Sequence, residues 1–223
     1  MTEAERPQPP DEVLEYYALG LEDRRLGEGK GPLERARTEE LLARYLPPVP
    51  AVVLDVGGGT GHYALWLAAR GFTVHLVEAV PLHLELAGAR SAAQAHAPLA
   101  SIVQGDARHL EWQPNTVDAV LLLGPLYHLI TVADRLECLR EAWRVLRPEG
   151  RLIAVLISRF ASTLDGLVSH LFEDPRFASI ARKISRADST EALAKSTSPR
   201  RICIIPTKSN PSSPRPVLPI SNF

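Results

Sequence analysis

The stretch LDVGGGTG, residues 54–61, places an acid, Asp55, just ahead of a glycine cluster, Gly57, Gly58, Gly59 and Gly61. Glycines let a main chain turn sharply and let a ligand rest directly on it. Loops of this kind often hold phosphate, and two spacings test for that. The pattern GxxxxGK[ST] is absent: Gly29 and Lys30 are followed by Gly31, and position 24 is Arg. The dinucleotide pattern GxGxxG needs a third glycine where the chain has His62. The glycines fall instead as GxGxG. An acid at the end of the preceding apolar run suits a ligand carrying a cationic amino-acid group better than one carrying a pyrophosphate.

The elements around this loop follow from apolar patterning. Residues 51–56, 73–77, 101–104, 117–123 and 152–157 read as strands with little polar alternation. Residues 32–46, 62–70, 81–94 and 132–146 read as helices between them. Leu33, Ala36, Leu41 and Tyr45 form the predicted buried stripe of the first helix. Leu136, Leu139, Trp143 and Leu146 form that of the last. Strands apolar on both faces belong to a parallel sheet covered by helices on both sides. Right-handed crossovers make it an α/β, Rossmann-like, doubly wound sheet. Ligands of such sheets bind beyond the carboxyl ends of the strands, where the glycine loop lies.

Composition narrows the class. The 223 residues suffice for one sizeable core, and 45% hydrophobic with 23% charged content is ordinary for a globular chain. A net charge of −1 supplies no global basic field, so neither nucleic acid nor a membrane surface is an expected partner. No apolar run approaches the ~20 residues of a membrane helix. Two distant cysteines, Cys138 and Cys203, fit a reducing compartment, and the expected location is cytoplasmic. Histidine spacing shows no metal motif.

The motifs together resemble the class I S-adenosylmethionine-dependent methyltransferases. The resemblance covers residues 32–158 and rests on LDVGGGTG, VHLVEAV, QGDARHL, VDAVLLLGPLYHL and LREAWRVLRPEGRLI, in the family's order. It implies S-adenosyl-L-methionine as cofactor and a set of roles. Asp55, Gly57, Gly58, Gly59 and Gly61 form the first motif. Glu78 takes both ribose hydroxyls, as an acceptor-only carboxylate can. Asp106 reads the adenine amino group, and Ala107 lies beside the ring. Leu123 and Gly124 lie near the cofactor.

Methyl transfer from a sulfonium is an in-line displacement, which asks mainly for alignment and exclusion of water. A base helps only where the acceptor loses a proton. The family therefore lends no fixed catalytic residue. Tyr127 and His128, just past the fourth strand, are the local candidates, and His128 has a suitable intrinsic pKa. The amino-methyltransferase motif, Asn or Asp followed by Pro-Pro-Tyr, is absent, since the chain reads GPLY; a small-molecule acceptor is the expectation. Tyr16, Tyr17, Arg24, Arg25 and Arg37 precede the fold, in the place of helices that cover the cofactor in similar enzymes. Arg37 is a candidate for the methionine carboxylate. The rival readings are a cofactor-binding protein without turnover and a nicotinamide-dependent oxidoreductase.

Three segments result: a lead and cap over residues 1–31, a methyltransferase domain over 32–184, and a tail over 185–223. The tail holds six of the 19 prolines, lacks acids after Glu191, and reads as irregular. Only residues 201–205 within it have strand character. The family's sheet ends in an antiparallel strand pair, and here that pair is expected to be missing or degenerate, as after truncation or a shifted frame. Its loss would leave the fifth strand as an exposed edge.

Overall fold

A computed structural model describes residues 26–29, 31–158, 160–186 and 200–206. Tyr16, Tyr17, Arg24 and Arg25 lie outside the described residues. Five strands run parallel: β1 (Val52–Val56), β2 (Thr73–Glu78), β3 (Ser101–Gln104), β4 (Val117–Leu122) and β5 (Leu146–Ile157). A sixth, β6 (Arg200–Pro206), pairs antiparallel with β5, and the sheet order is β3-β2-β1-β4-β5-β6. The order reverses beside β1, so the crevice opens next to the glycine loop.

Helices α1 (Gly31–Tyr45), α2 (His62–Ala68), α3 (Pro81–Ala93), α4 (Pro125–His128) and α5 (Val132–Val145) accompany the parallel strands. The central strands are sealed on both faces. Val53, Leu54, Ala119, Val120 and Leu121 are all fully buried. They divide between two apolar layers, one on each side of the sheet. Burial of this kind supplies ~25 cal/mol per Å² of apolar area removed from water.

Two helix faces differ from the expected stripes. In α1 the buried residues are Gly31, Thr38, Leu41 and Leu42, whereas Leu33 is 77% exposed. In α5 they are Cys138, Ala142 and Val145, whereas Leu136 and Trp143 are each 45% exposed. On α5 the small side chains pack inward with Leu139 partly buried beside them, Leu146 is fully buried, and Leu136 and Trp143 stand outward. Burial pushes the Cys138 thiol up to about 12.

The edge at β5 also departs from expectation. The strand begins at Leu146 rather than 152, and its register with β4 shifts between Val117 and Ala119. Glu149 absorbs the irregularity with φ 66°. The segment with strand character in the tail is β6, whose residues Arg200 to Pro206 oppose Ile157 to Arg151. That stretch of β5 is paired along its length with β6. Among the described residues no second antiparallel strand accompanies it. After β5 come α6 (Ala161–Val168), a 3-10 turn (Leu171–Glu173) and α7 (Pro175–Arg186). The break falls at His170, in the left-handed region at φ 56°.

Candidate functional site

Four strand ends meet at the crevice. Asp55 lies opposite Leu76 of β2 and Leu121 of β4, and Glu78 lies opposite Gln104 of β3. The glycine loop, Glu78, Asp106 and Leu123 thus come off the carboxyl ends of adjacent parallel strands. All nine residues expected to hold a cofactor belong to these ends or to the turns directly after them.

The loop is tightly confined. Gly57, Gly59 and Gly61 have φ of 67°, 59° and 81°, a region that L side chains rarely adopt. Gly58 has no room for a side chain: a Cβ there would lie 2.2 Å from Leu76 Cδ1 and 2.6 Å from Asp55 Oδ2. On the other side Pro125 of α4 closes on Gly57, whose Cβ would lie 2.7 Å from the proline ring. The Gly57 N–H donates to the Val77 carbonyl at 2.7 Å and fixes the loop on β2.

Beneath this loop Asp55 is buried, and neither carboxyl oxygen has a hydrogen-bond partner among the described residues. A buried polar group without a partner is costly, and it signals an absent ligand or a held proton. Burial, reinforced by the nearby Glu78 charge, raises the Asp55 pKa to about 7. Glu78 is buried too, but amply satisfied. Its Oε2 accepts from Gly59 N–H at 2.7 Å, and its Oε1 from Ala79 and Val80 N–H at 2.9 and 3.0 Å. Burial alone would push this carboxyl up. The His83 imidazole and the N–H groups of Val80 and Gly59 outweigh it and hold the group below the usual range. Of the roughly four acceptor positions on a carboxylate, one remains on Oε2.

Asp106 sits in a tight turn after β3, closed by His109 N–H donating to its carbonyl at 3.0 Å. Ala107 is partly buried against the apolar layer that contains Leu110 and Leu126. Leu123 is buried, and its carbonyl accepts from the Tyr127 hydroxyl at 3.2 Å. Tyr127 and His128 lie on α4 with ring centroids 4.6 Å apart. A Cβ at Gly124 would lie 3.5 Å from the Gly57 carbonyl and 3.7 Å from the Tyr127 hydroxyl, so α4 brings that hydroxyl to the glycine loop. Arg37 lies on α1, where its guanidinium donates to Glu40 at 2.6 Å.

Three residues that no spacing singled out also shape the site. His83 is buried with Nδ1 3.8 Å from Glu78 Oε1, an ion-pair separation when the ring is protonated. Arg90 on α3 donates to the Thr60 hydroxyl at 2.6 Å and braces the glycine loop from 30 residues away. Arg108 grips Asp106 with two side-chain nitrogens, at 2.9 and 2.7 Å. An arginine two residues after an acid just past an apolar run is the one local signal for any of these. Among the described residues no cluster of three or more His, Cys, Asp or Glu side chains could hold a metal. No helix among them is long and apolar enough to cross a membrane.

Residues 54–154 match the family model described as a methyltransferase domain. Methyltransferase GfsG of Streptomyces halstedii is 34% identical over 160 residues, covering 71% of this chain and 56% of its own length. The demethylmenaquinone methyltransferase of Deinococcus radiodurans is 36% identical over 140 residues, covering 62% of this chain and 54% of its own. The chain thus spans about half the length of these curated relatives. Among solved structures, the PH0226 protein of Pyrococcus horikoshii OT3 superposes with a TM-score of 0.51 at 27% identity, covering 66% of this chain and 65% of that one. The strand order, the glycine loop over a buried acid and these likenesses all support a class I S-adenosylmethionine-dependent methyltransferase domain over the matched residues 54–154.

Proposed function

We propose that the protein transfers a methyl group from S-adenosyl-L-methionine to a small molecule. The observation that carries this reading is Asp55, a carboxyl group buried without a partner beneath a loop in which Gly57 and Gly58 have no room for a side chain. A cationic amino group supplies the missing partner and favours the ionised acid.

The residues present fit the rest of the cofactor. The free acceptor position of Glu78 suits a ribose hydroxyl, and Asp106 suits the adenine amino group. Gly57, Gly58, Gly59 and Gly61 form a main-chain floor. Ala107 and Leu123 supply apolar contact to its flanks. When bound, S-adenosyl-L-methionine supplies a methyl group activated by a sulfonium. The chain's own part is to orient and to exclude water, since the leaving group departs neutral. Tyr127, held to the Leu123 carbonyl, lines the loop, and His128 beside it receives a proton where the acceptor must lose one.

Support for a small acceptor comes from the Deinococcus radiodurans relative, named for a quinone, and from the net charge of −1, which offers nucleic acid little. The same reading assigns residues 32–184 to the methyltransferase domain, the flanks 1–31 and 185–223 to a cap and a tail, and the protein to the cytoplasm.

The test is a calorimetric titration with S-adenosylhomocysteine and, separately, NAD. Saturable binding of the first alone is expected; binding of NAD alone overturns the reading. A labelled-methyl screen on cell extract, run beside Asp55→Ala, then separates an enzyme from a binder. Labelled acceptor in the wild type only is expected, and equal labelling in both removes Asp55 from the site.

A further inference from the structure

Arg108 lies at the centre of an ion-pair chain on the crevice rim. Asp106 Oδ1 accepts from the Arg108 main-chain N–H at 2.7 Å and from its Nε at 2.9 Å. Asp106 Oδ2 accepts from Nη2 at 2.7 Å. The remaining terminal nitrogen, Nη1, donates to Asp134 Oδ1 at 3.0 Å. Asp134 is itself fixed at the start of α5. Its other oxygen accepts from the Thr131 hydroxyl at 2.7 Å, and its N–H donates back to that hydroxyl at 3.0 Å. Arg108 and Asp106 are both mostly buried, with side chains 13% exposed. A fork–fork pair of this kind fixes direction as well as distance.

The consequence is a count of lone pairs. A carboxylate offers about four acceptor positions. Arg108 occupies both on Oδ1 and one on Oδ2, which leaves Asp106 a single acceptor with a set direction. The positive charge beside it also offsets the carboxylate's own charge, so the remaining position acts through its direction more than through field strength.

We infer that Arg108, anchored by Asp134, is a positioning residue that makes Asp106 selective for a 6-aminopurine over a 6-oxopurine. A 6-amino group donates to the one remaining lone pair. A 6-oxo group presents another lone pair to it, and the guanidinium prevents the carboxylate from turning away. Sites built around a fixed acceptor reject analogues that lack the donor far more strongly than they reject changes of size. The inference rests on the adenine role proposed for Asp106, and goes beyond it by naming the group that sets the selectivity and the segment that anchors it.

The test compares S-adenosylhomocysteine with S-inosylhomocysteine, its 6-oxo analogue, by calorimetric titration of the full chain. The variants are Arg108→Met, Arg108→Lys and Asp134→Asn, each with a thermal melt. Wild type is expected to prefer the adenosyl compound by more than about tenfold. Arg108→Met lowers that ratio at least about fivefold. Arg108→Lys fails to restore it, because a point charge cannot replace the fork. Asp134→Asn lowers it by about two- to threefold. Asp134→Asn leaves the Asp106 pair in place and keeps the idea open to refutation if Arg108→Met does not fold. A variant with weakened adenosyl binding but an unchanged ratio would show a purely structural role and overturn the inference. So would unchanged binding of both compounds. Wild type that binds neither compound overturns the cofactor reading itself, whereas wild type that binds both equally overturns only the selectivity.

Discussion

Beside Asp55, the apolar side chains Val53, Leu54, Val56 and Leu76 are at most 1% exposed. In α6, Leu167 and Val168 are 61% and 67% exposed. The first region is finished: parallel strands seal both faces, and a tight loop closes over a carboxyl group that has nothing to bind within the protein. The second leaves apolar surface unburied along a helix that follows the last parallel strand. The contrast assigns different tasks to the two ends of the domain. In the proposed reading, cofactor recognition rests on close packing at Gly57 and Gly58, where a Cβ has no space. The helices after β5 pack on each other, with Phe177 filling the space a Cβ at Gly166 would need, and leave one face of α6 exposed.

The sharpest way to break this comparison is Gly58→Val. Its Cβ would fall within van der Waals radii of Leu76 and Asp55. Overpacking costs about 1–3 kcal/mol, and S-adenosylhomocysteine affinity is expected to fall by more than about thirtyfold. Titration and a thermal melt check both parts. Retained affinity would mean that the loop is looser than its geometry shows.

Next in size is Asp55→Asn. The folded-state pKa of Asp55 is about 7, well above the ordinary carboxyl value of 3.8. The folded chain keeps a proton that the unfolded chain gives up, so stability falls as pH rises from about 4 to about 7 and then levels off. The loss is on the order of a few kcal/mol. Asn removes that slope. The variant should melt higher than wild type at pH 8 while binding S-adenosylhomocysteine at least about tenfold more weakly. Parallel slopes for both proteins between pH 5 and pH 8 would count against the raised pKa.

A smaller effect concerns the cofactor's charge. An ammonium group brought to Asp55 favours its ionised form, so binding below pH 7 releases a proton and tightens as pH rises. The expected gain is at most about tenfold per pH unit between about 5 and 7. Calorimetry in two buffers of different ionisation heat counts the proton directly. Heats independent of buffer would show that Asp55 is ionised before binding.

Much of the crevice was legible because strand ends and glycines announce themselves locally. LDVGGGTG carries its own acid, and Glu78 and Asp106 each follow an apolar run. The rest depends on contacts that the fold makes, distant in sequence for Arg90 and five positions back for His83. Arg90 braces Thr60 across 30 positions, and His83 meets Glu78 only once α3 folds back on β2. The α5 stripe was misread because apolar bulk favoured Leu136 and Trp143, whereas the sheet takes Cys138, Ala142 and Val145. The early start of β5 was hidden by RPEG, which has the composition of a turn and serves as an irregularity within one strand.

The smallest expected change sharpens the contrast from its loose end. Leu167→Ser and Val168→Thr lie on exposed α6 surface, and each should shift stability by no more than about 0.5 kcal/mol. A thermal melt suffices as the measure. A drop several times larger would reveal that this face is covered in solution.

The inward packing of small side chains on α5 has a practical consequence. Cys138 is fully buried, and its thiol is pushed up to about 12, so it resists alkylation while the domain stays closed. In a Cys203→Ser background the alkylation rate of that single thiol becomes an internal clock for opening. Slower labelling on adding a nucleoside ligand would report how far occupancy of the crevice tightens the apolar layer that Cys138 shares with Ala107.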